Sequence, residues 1–174
     1  MIFYVDGACS GNGTDYAAGG FGVVGLIYNV GVYYYANGSY RTTNNREELK
    51  AILHVMKKFS VQEKLFEILP DEYYPIVYSD SAYCVNTLNT WMFDWARKDW
   101  KKANGDTPEN LDLIQEYYNL YRLGYRIDLR KVKGHSGNYW NELVDRIARS
   151  AKEKQHIKEI DLLTDKEKES LWKT

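Results

Sequence analysis

The hydrophobic period of this chain changes once, near residue 42, and that change restricts it to folds in which a β-meander precedes alternating helices and strands. In the first forty residues, apolar side chains come in short runs between turn residues: Ile2-Phe3-Tyr4-Val5, then FGVVGLIY (21–28) and VYYY (32–35). The last two flank Asn29-Val30-Gly31, where a glycine can take the positive φ that a tight hairpin needs. After Thr42-Thr43-Asn44-Asn45, which offers several capping side chains, Leu49, Ile52, Leu53 and Met56 recur at i, i+3, i+4 and i+7, the signature of one buried helix face. IVYSD (76–80) reads as a strand ending in a carboxylate, and Ala82 to Asn89 as a short helix. Leu111, Ile114, Tyr118 and Tyr121 mark another amphipathic helix, and RIDLRKV (126–132) another strand. Val144, Ile147, Ala148 and Ala151 share one side of a final helix. The order βββ-α-β-α-α-β-α predicts an α/β fold, a mixed sheet with helices packed on it.

The 174 residues suit one domain, and 44% apolar with 27% charged residues excludes general disorder. No apolar stretch approaches the roughly 18 residues needed to cross a bilayer, and the opening MIFYVDGACSG has neither a basic n-region nor a long apolar h-region. The two cysteines, Cys9 and Cys84, are too few for a disulfide framework and have no zinc-type spacing. A reducing cytoplasmic setting is therefore expected. A net charge of −1 excludes a strongly basic nucleic-acid binder, yet basic islands at 41–60, 81–105 and 129–151 alternate with acidic stretches. Brought together by a fold, they would form a phosphate-binding face. The body is expected to span 1–153. The charged extension 154–174 retains Ile157, Ile160, Leu162, Leu163 and Trp172, so one or two docked helical turns are expected there.

Chemistry enters with the carboxylates. Asp6 and Asp80 each end an apolar β-run, the place where ligands bind in sheets covered by helices. On the helix after Thr43, Glu48 lies about 90° from the centre of the face set by Leu49, Ile52, Leu53 and Met56, whereas Glu47 lies nearly opposite. Glu48 is thus expected to reach the sheet edge. Glu47 is expected to point to water, and Glu47→Gln to be close to neutral. On the last helix, the same count favours Asp145 over Glu142 as the inward-reaching acid. Four clustered acids call for hard divalent cations, Mg²⁺ or Mn²⁺ rather than zinc. A pair of such ions clamps both the attacking and the leaving oxygen in phosphodiester hydrolysis.

These residues also carry a family resemblance: the chain resembles a type 1 ribonuclease H. The matching blocks are VDGACSGNG (5–13), RTTNNREEL (41–49), YSDSAY (78–83), the tryptophans at 91, 95 and 100, and VKGHSGNYWNELVDRIA (132–148). The resemblance covers about residues 1–151 and implies the ribonuclease H-like fold, a five-stranded mixed sheet with three antiparallel strands, then two parallel, and helices on both faces. The N-terminal hybrid-binding domain of some relatives is not expected before the first strand. The resemblance further implies that Asp6, Glu48, Asp80 and Asp145 are metal-binding carboxylates for two Mg²⁺ ions, with Mn²⁺ as a substitute. His135 would move protons and assist product departure. The implied activity is hydrolysis of the RNA strand of an RNA–DNA hybrid, leaving 5′-phosphate and 3′-hydroxyl ends, by a monomer with no membrane attachment.

Asn12, Asn44 and Asn45 match the family's minor-groove contacts, with Cys9 in the same turn as Asn12. The two helix-start asparagines are also good capping residues, and the two roles are compatible. Arg41, Thr43 and Asn110 match a pocket for a phosphate of the DNA strand, Trp91 and Trp95 match the channel for its sugars, and Ser81 stands beside Asp80 in the same contact set. One position departs from the pattern: Ala82 stands where many relatives carry a polar contact residue, usually glutamine. Two rival readings are a DNA-directed nuclease, against which the asparagine set argues, and a non-catalytic hybrid-binding module, against which the complete acid set argues.

Overall fold

In the computed structural model, which describes residues 1–60, 74–134 and 137–154, the strands follow the expected order, and the short helix expected over 82–89 instead continues through a π turn as far as Arg97. Strands β1 (Ile2–Ser10), β2 (Ala18–Ile27) and β3 (Gly31–Tyr40) form the meander, and helix α1 (Asn44–Phe59) precedes β4 (Ile76–Ser79). Helix α2 (Ala82–Asn86) runs through a π turn (Thr87–Trp91) into α3 (Met92–Arg97), followed by α4 (Leu111–Arg122), β5 (Asp128–Lys131) and α5 (Tyr139–Lys154). The sheet order is β3-β2-β1-β4-β5. The meander pairs antiparallel, whereas β4 pairs parallel with both β1 and β5. The docked tail expected beyond residue 154 lies outside the described residues.

The hairpin closes as its turn residues require. Asn29 (φ 59°) and Gly31 (φ 124°) take the left-handed region, and the Val30 N–H donates to the Ile27 carbonyl at 3.0 Å. Strand β1 is longer than its apolar run. It was expected to end at Asp6 but continues to Ser10, because β2 keeps pairing with it from Asp6 opposite Gly22 to Ser10 opposite Ala18. The parallel partner β4 stops earlier, with Ser79 opposite Val5. Asp6 is thus the first residue of β1 to have lost one of its two strand neighbours. At the other edge, β5 is shorter than the expected 126–132.

Alternation along β2 divides the interior into two cores. Phe21 and Val23 join Phe3, Val5, Leu49, Ile52, Met56, Leu88, Met92 and Ile114 under α1 to α4. Val24 faces the other way and packs with Tyr34, Leu143, Val144 and Ile147 under α5. At about 1.5–3 kcal/mol for each fully buried large aliphatic side chain, these two layers are the principal source of stability. Helix α5 lies directly on β2: a Cβ at Gly20 would stand 2.4 Å from the Lys152 nitrogen and 2.8 Å from the Ala151 carbonyl carbon.

Backbone cannot yield as a flexible side chain does, so Gly20→Ala is expected to destabilise the protein by about 1–3 kcal/mol, as overpacking does elsewhere. A urea denaturation midpoint measures it. An unchanged midpoint would show that α5 does not rest on this glycine.

Candidate active site

Three of the expected carboxylates meet where β1 loses its parallel neighbour. Asp6 comes from β1, Glu48 from the first turns of α1 and Asp80 from the residue after β4, and their ligand oxygens all lie within 4.8 Å of one another. The close contact of α1 with β1 creates this meeting: a Cβ at Gly7 would stand 2.4 Å from the Glu48 nitrogen. The Gly7 N–H donates to Asp6 Oδ1 at 2.8 Å, and the buried Ser79 hydroxyl donates to Glu48 Oε2 at 3.3 Å. Ser79 also accepts from the Ser81 N–H at 3.1 Å, which links Glu48 to the loop carrying Asp80. A lone hydroxyl at an inward position of the IVYS run is the sequence signal for Ser79.

Burial dominates the electrostatics. It pushes the Asp6 carboxyl up to about 7, and the charges of Asp80 and Asp145 push in the same direction, against hydrogen bonds from Glu48 and Gly7. Glu48 is raised well above the usual carboxylate range, first by burial and then by the Asp6 charge, and a hydrogen bond to Asp6 adds to the rise. Both shifts favour a form of the pair that is relieved by a proton or a cation. The donors are all oxygen, from three acids that repel one another in a poorly solvated place, and such a set fits a hard divalent cation such as Mg²⁺ or Mn²⁺.

Asp145, on α5, is near enough to raise Asp6 electrostatically, but its Oδ1 forms an ion pair with Arg149 Nε at 2.9 Å and it stands outside the three-acid group. His135 lies outside the described residues. Gly134, just before it, abuts the site, where a Cβ would come 2.7 Å from Asp80 Oδ2.

Glu47 corrects the expectation of a solvent-facing side chain. It is 0% exposed. Its carboxylate accepts from the Thr42 hydroxyl at 2.6 Å, the Ser39 hydroxyl at 3.3 Å and Lys50 Nζ at 2.6 Å, and it occupies space left by Gly19. The helical count failed because it omitted Ala51 and Val55. Both are fully buried and extend the covered arc of α1 toward the side that carries both glutamates.

The remaining expected residues fall at the end of β1 and the turn after it, on the segment leading into α1, at the starts of α1, α2 and α4, and on the π turn and α3. Asn12, in the turn after β1, accepts the Asn44 N–H at 2.8 Å, which ties that turn to the start of α1. The Thr43 hydroxyl caps α1 by accepting from the Arg46 N–H at 3.3 Å, and the Cys9 thiol donates to the Thr42 carbonyl at 3.5 Å. Asn45 is half-buried, and its carbonyl lies 3.9 Å from the Cys84 sulfur. Arg41 is exposed with φ 50°, and Asn110 has φ 57°. Arg46 joins the starts of α1 and α4 through a bidentate pair with Asp112 at 2.8 and 2.6 Å. Ser81 caps α2 by accepting from the Cys84 N–H at 3.2 Å, which leaves Ala82 exposed at the first helical position. Beyond α2, the π turn separates the tryptophans by environment. Trp91 is 40% exposed, whereas Trp95 packs partly on the core, with ring centroids 6.1 Å apart.

A mixed five-stranded sheet with helices on both faces and an acidic cluster at the end of its central parallel pair fits the class of α/β proteins that hydrolyse phosphodiesters. The RNase H family model matches residues 1–153, and the chain belongs to this family of RNA–DNA hybrid endoribonucleases. It is 36% identical over 157 residues to a ribonuclease H of Mannheimia succiniciproducens, covering 90% of each chain. It is 39% identical over 152 residues to a ribonuclease H of Syntrophomonas wolfei, covering 87% of this chain and 94% of that one. Among solved structures it is similar to LC9-RNase H1, described as a type 1 RNase H with the type 2 active-site motif, at TM-score 0.68 and 28% identity over 89% of this chain and 72% of that one.

Two outcomes are expected from the site alone. Glu47→Gln should lower stability by about 1–3 kcal/mol, because it removes the anion that a half-buried Lys50 and two hydroxyls share. A neutral result in urea denaturation would return Glu47 to the surface. Because Asp6 and Glu48 are raised relative to the unfolded chain, the stability they contribute is present below the ordinary carboxylate range and lost as pH climbs through their raised values, about 7 for Asp6. Asp6→Asn should therefore raise the melting temperature in EDTA at pH 8 much more than at pH 4. Equal shifts at both pH values would contradict the assignment.

Proposed function

We propose that the protein hydrolyses the RNA strand of RNA–DNA hybrids in the cytoplasm, as a monomer, with two Mg²⁺ ions held by Asp6, Glu48, Asp80 and an Asp145 released from Arg149. The observation that carries this reading is the meeting of three acids from separate elements in a chain of the RNase H family. Mn²⁺ suits the same oxygen donors. When bound, the ions would lower the pKa of an attacking water and offset charge on the departing oxygen. Water adds its oxygen to phosphorus as the bond to the 3′-oxygen breaks, leaving 5′-phosphate and 3′-hydroxyl ends. His135 supplies or removes the accompanying proton in this reading.

The surrounding residues read the two strands differently. Asn12 spends its amide oxygen on the Asn44 N–H and keeps its NH₂ for the cut strand, which Asn44, Asn45 and Cys9 also contact in this reading. A 2′-hydroxyl both donates and accepts, and an amide matches it. Arg41, Thr43 and Asn110 take a phosphate of the other strand. Ser81 contacts the hybrid near Asp80, and the exposed face of Trp91, with Trp95 behind it, takes sugars that lack the 2′-hydroxyl. Residues 1–153 form the catalytic unit in this reading, and 154–174 is an extension to it.

One labelled RNA strand, presented as hybrid, as duplex RNA and as single strand with and without Mg²⁺, tests the proposal beside duplex DNA. Cleavage is expected only in the hybrid with metal. Cutting of duplex DNA would favour the DNA-directed rival, and binding without cleavage the hybrid-binding module. Asp80→Asn should fold and lose nearly all turnover, so substantial Mg²⁺-dependent cleavage by it would remove Asp80 from the site. Trp91→Ala with Trp95→Ala should weaken hybrid cleavage; unchanged cleavage would assign both indoles to packing.

A further inference from the structure

Asn110 takes left-handed backbone angles (φ 57°, ψ 27°) at the start of α4, yet its side chain does not cap that helix. Its Nδ2 instead donates to the phenol oxygen of Tyr83 at 3.1 Å, and the Tyr83 hydroxyl donates to the Glu109 carbonyl at 3.2 Å. These two bonds determine the amide's orientation. A tyrosine hydroxyl has one proton, and Glu109 receives it, so Tyr83 can only accept from Asn110. The nitrogen of the amide must face the phenol, and its second N–H remains for another acceptor. A non-glycine residue held at positive φ with its amide turned from its own helix is costly unless neighbouring contacts maintain it. Tyr83 supplies such a contact.

Tyr83 also connects two regions. It stands on α2, three residues after Asp80 and two after the capping Ser81. Asn110 begins α4, whose first turn is joined to that of α1 through Arg46 and Asp112. The phenol therefore ties the segment carrying an active-site acid to the junction of two helix N-termini, where backbone N–H groups favour an anion.

We propose that Tyr83 is a positioning residue that presents the Asn110 N–H to a phosphate of the uncut strand and so sets the grip on the hybrid without taking part in bond cleavage. The inference rests on the reading of Asn110 as a phosphate contact given under Proposed function. Tyr83→Phe keeps the ring and removes only the hydroxyl, which frees the amide to rotate.

The test is steady-state cleavage of a hybrid by the parent, Tyr83→Phe, Asn110→Gly and the double variant, with melting temperatures for all four. Glycine at position 110 tolerates the positive φ while deleting the amide. Tyr83→Phe is expected to raise KM about threefold to tenfold, in keeping with loss of one orienting hydrogen bond, with kcat within about twofold of the parent. In the Asn110→Gly background, the same change should add nothing, since the group it orients is gone. A second measurement replaces one DNA-strand phosphate at a time by a neutral methylphosphonate: at the phosphate whose neutralisation most raises the parent's KM, the Tyr83→Phe penalty should vanish. Multiplying penalties in the double variant, a KM unchanged by Tyr83→Phe, or an effect confined to kcat and melting temperature would each overturn the proposal. Failure of the parent to cleave hybrids would instead overturn the functional reading, before any variant is compared.

Discussion

The whole site depends on how near helix α1 comes to strand β1. At Gly7 there is no room for a side chain, because the Glu48 backbone nitrogen already fills the place of a Cβ. This contact sets the height of α1 above the sheet, brings Glu48 down to Asp6, and drives the preceding Glu47 into the gap above Gly19. An alanine at position 7 would lift the helix, and with it one member of the acidic group. The two glutamates are thus buried by the same geometry but meet opposite environments. Glu47 faces a lysine and two hydroxyls, whereas Glu48 faces other acids.

That difference separates stabilising from functional chemistry. A buried anion surrounded by donors braces the strand end, the linking loop and the helix start. A buried anion beside other anions works against the fold until a cation or a proton relieves it. Asp6 and Glu48 are raised by burial before any neighbour acts. The site is therefore held in place by packing supplied elsewhere, chiefly by the two cores on either side of β2. Asp145 marks the boundary, since its carboxylate is shared between the field of Asp6 and an ion pair with Arg149.

Much of this was legible in residue order because period and chemistry coincide. The switch from runs to helical spacing at residue 42, the turn at Asn29-Val30-Gly31 and the acids at Asp6, Glu48 and Asp80 all have local causes. The failures have non-local ones. Strand β1 outlasts its apolar run because β2 continues to pair with it, and pairing partners are not encoded in a strand's own hydropathy. Glu47 was misplaced because a helix covered on two sides has a wider buried arc than four large apolar residues define, with Ala51 and Val55 contributing to it. The tryptophan spacing alone could not separate core from surface. The π turn ending at Trp91 changes the phase of the helix, so that Met92 is fully buried next to a well-exposed indole.

The pair between Arg46 and Asp112 shows why energy and position must be argued separately. Both side chains are partly exposed, and ion pairs in such places contribute at most about 1 kcal/mol. Its bidentate geometry nevertheless fixes two helix starts relative to each other across 66 residues of sequence. Thr43 and Asn110 stand at those two starts, so a small displacement between the helices would separate them without unfolding anything. An interaction of little consequence for stability can therefore matter greatly for how side chains on two separate helices stand toward each other.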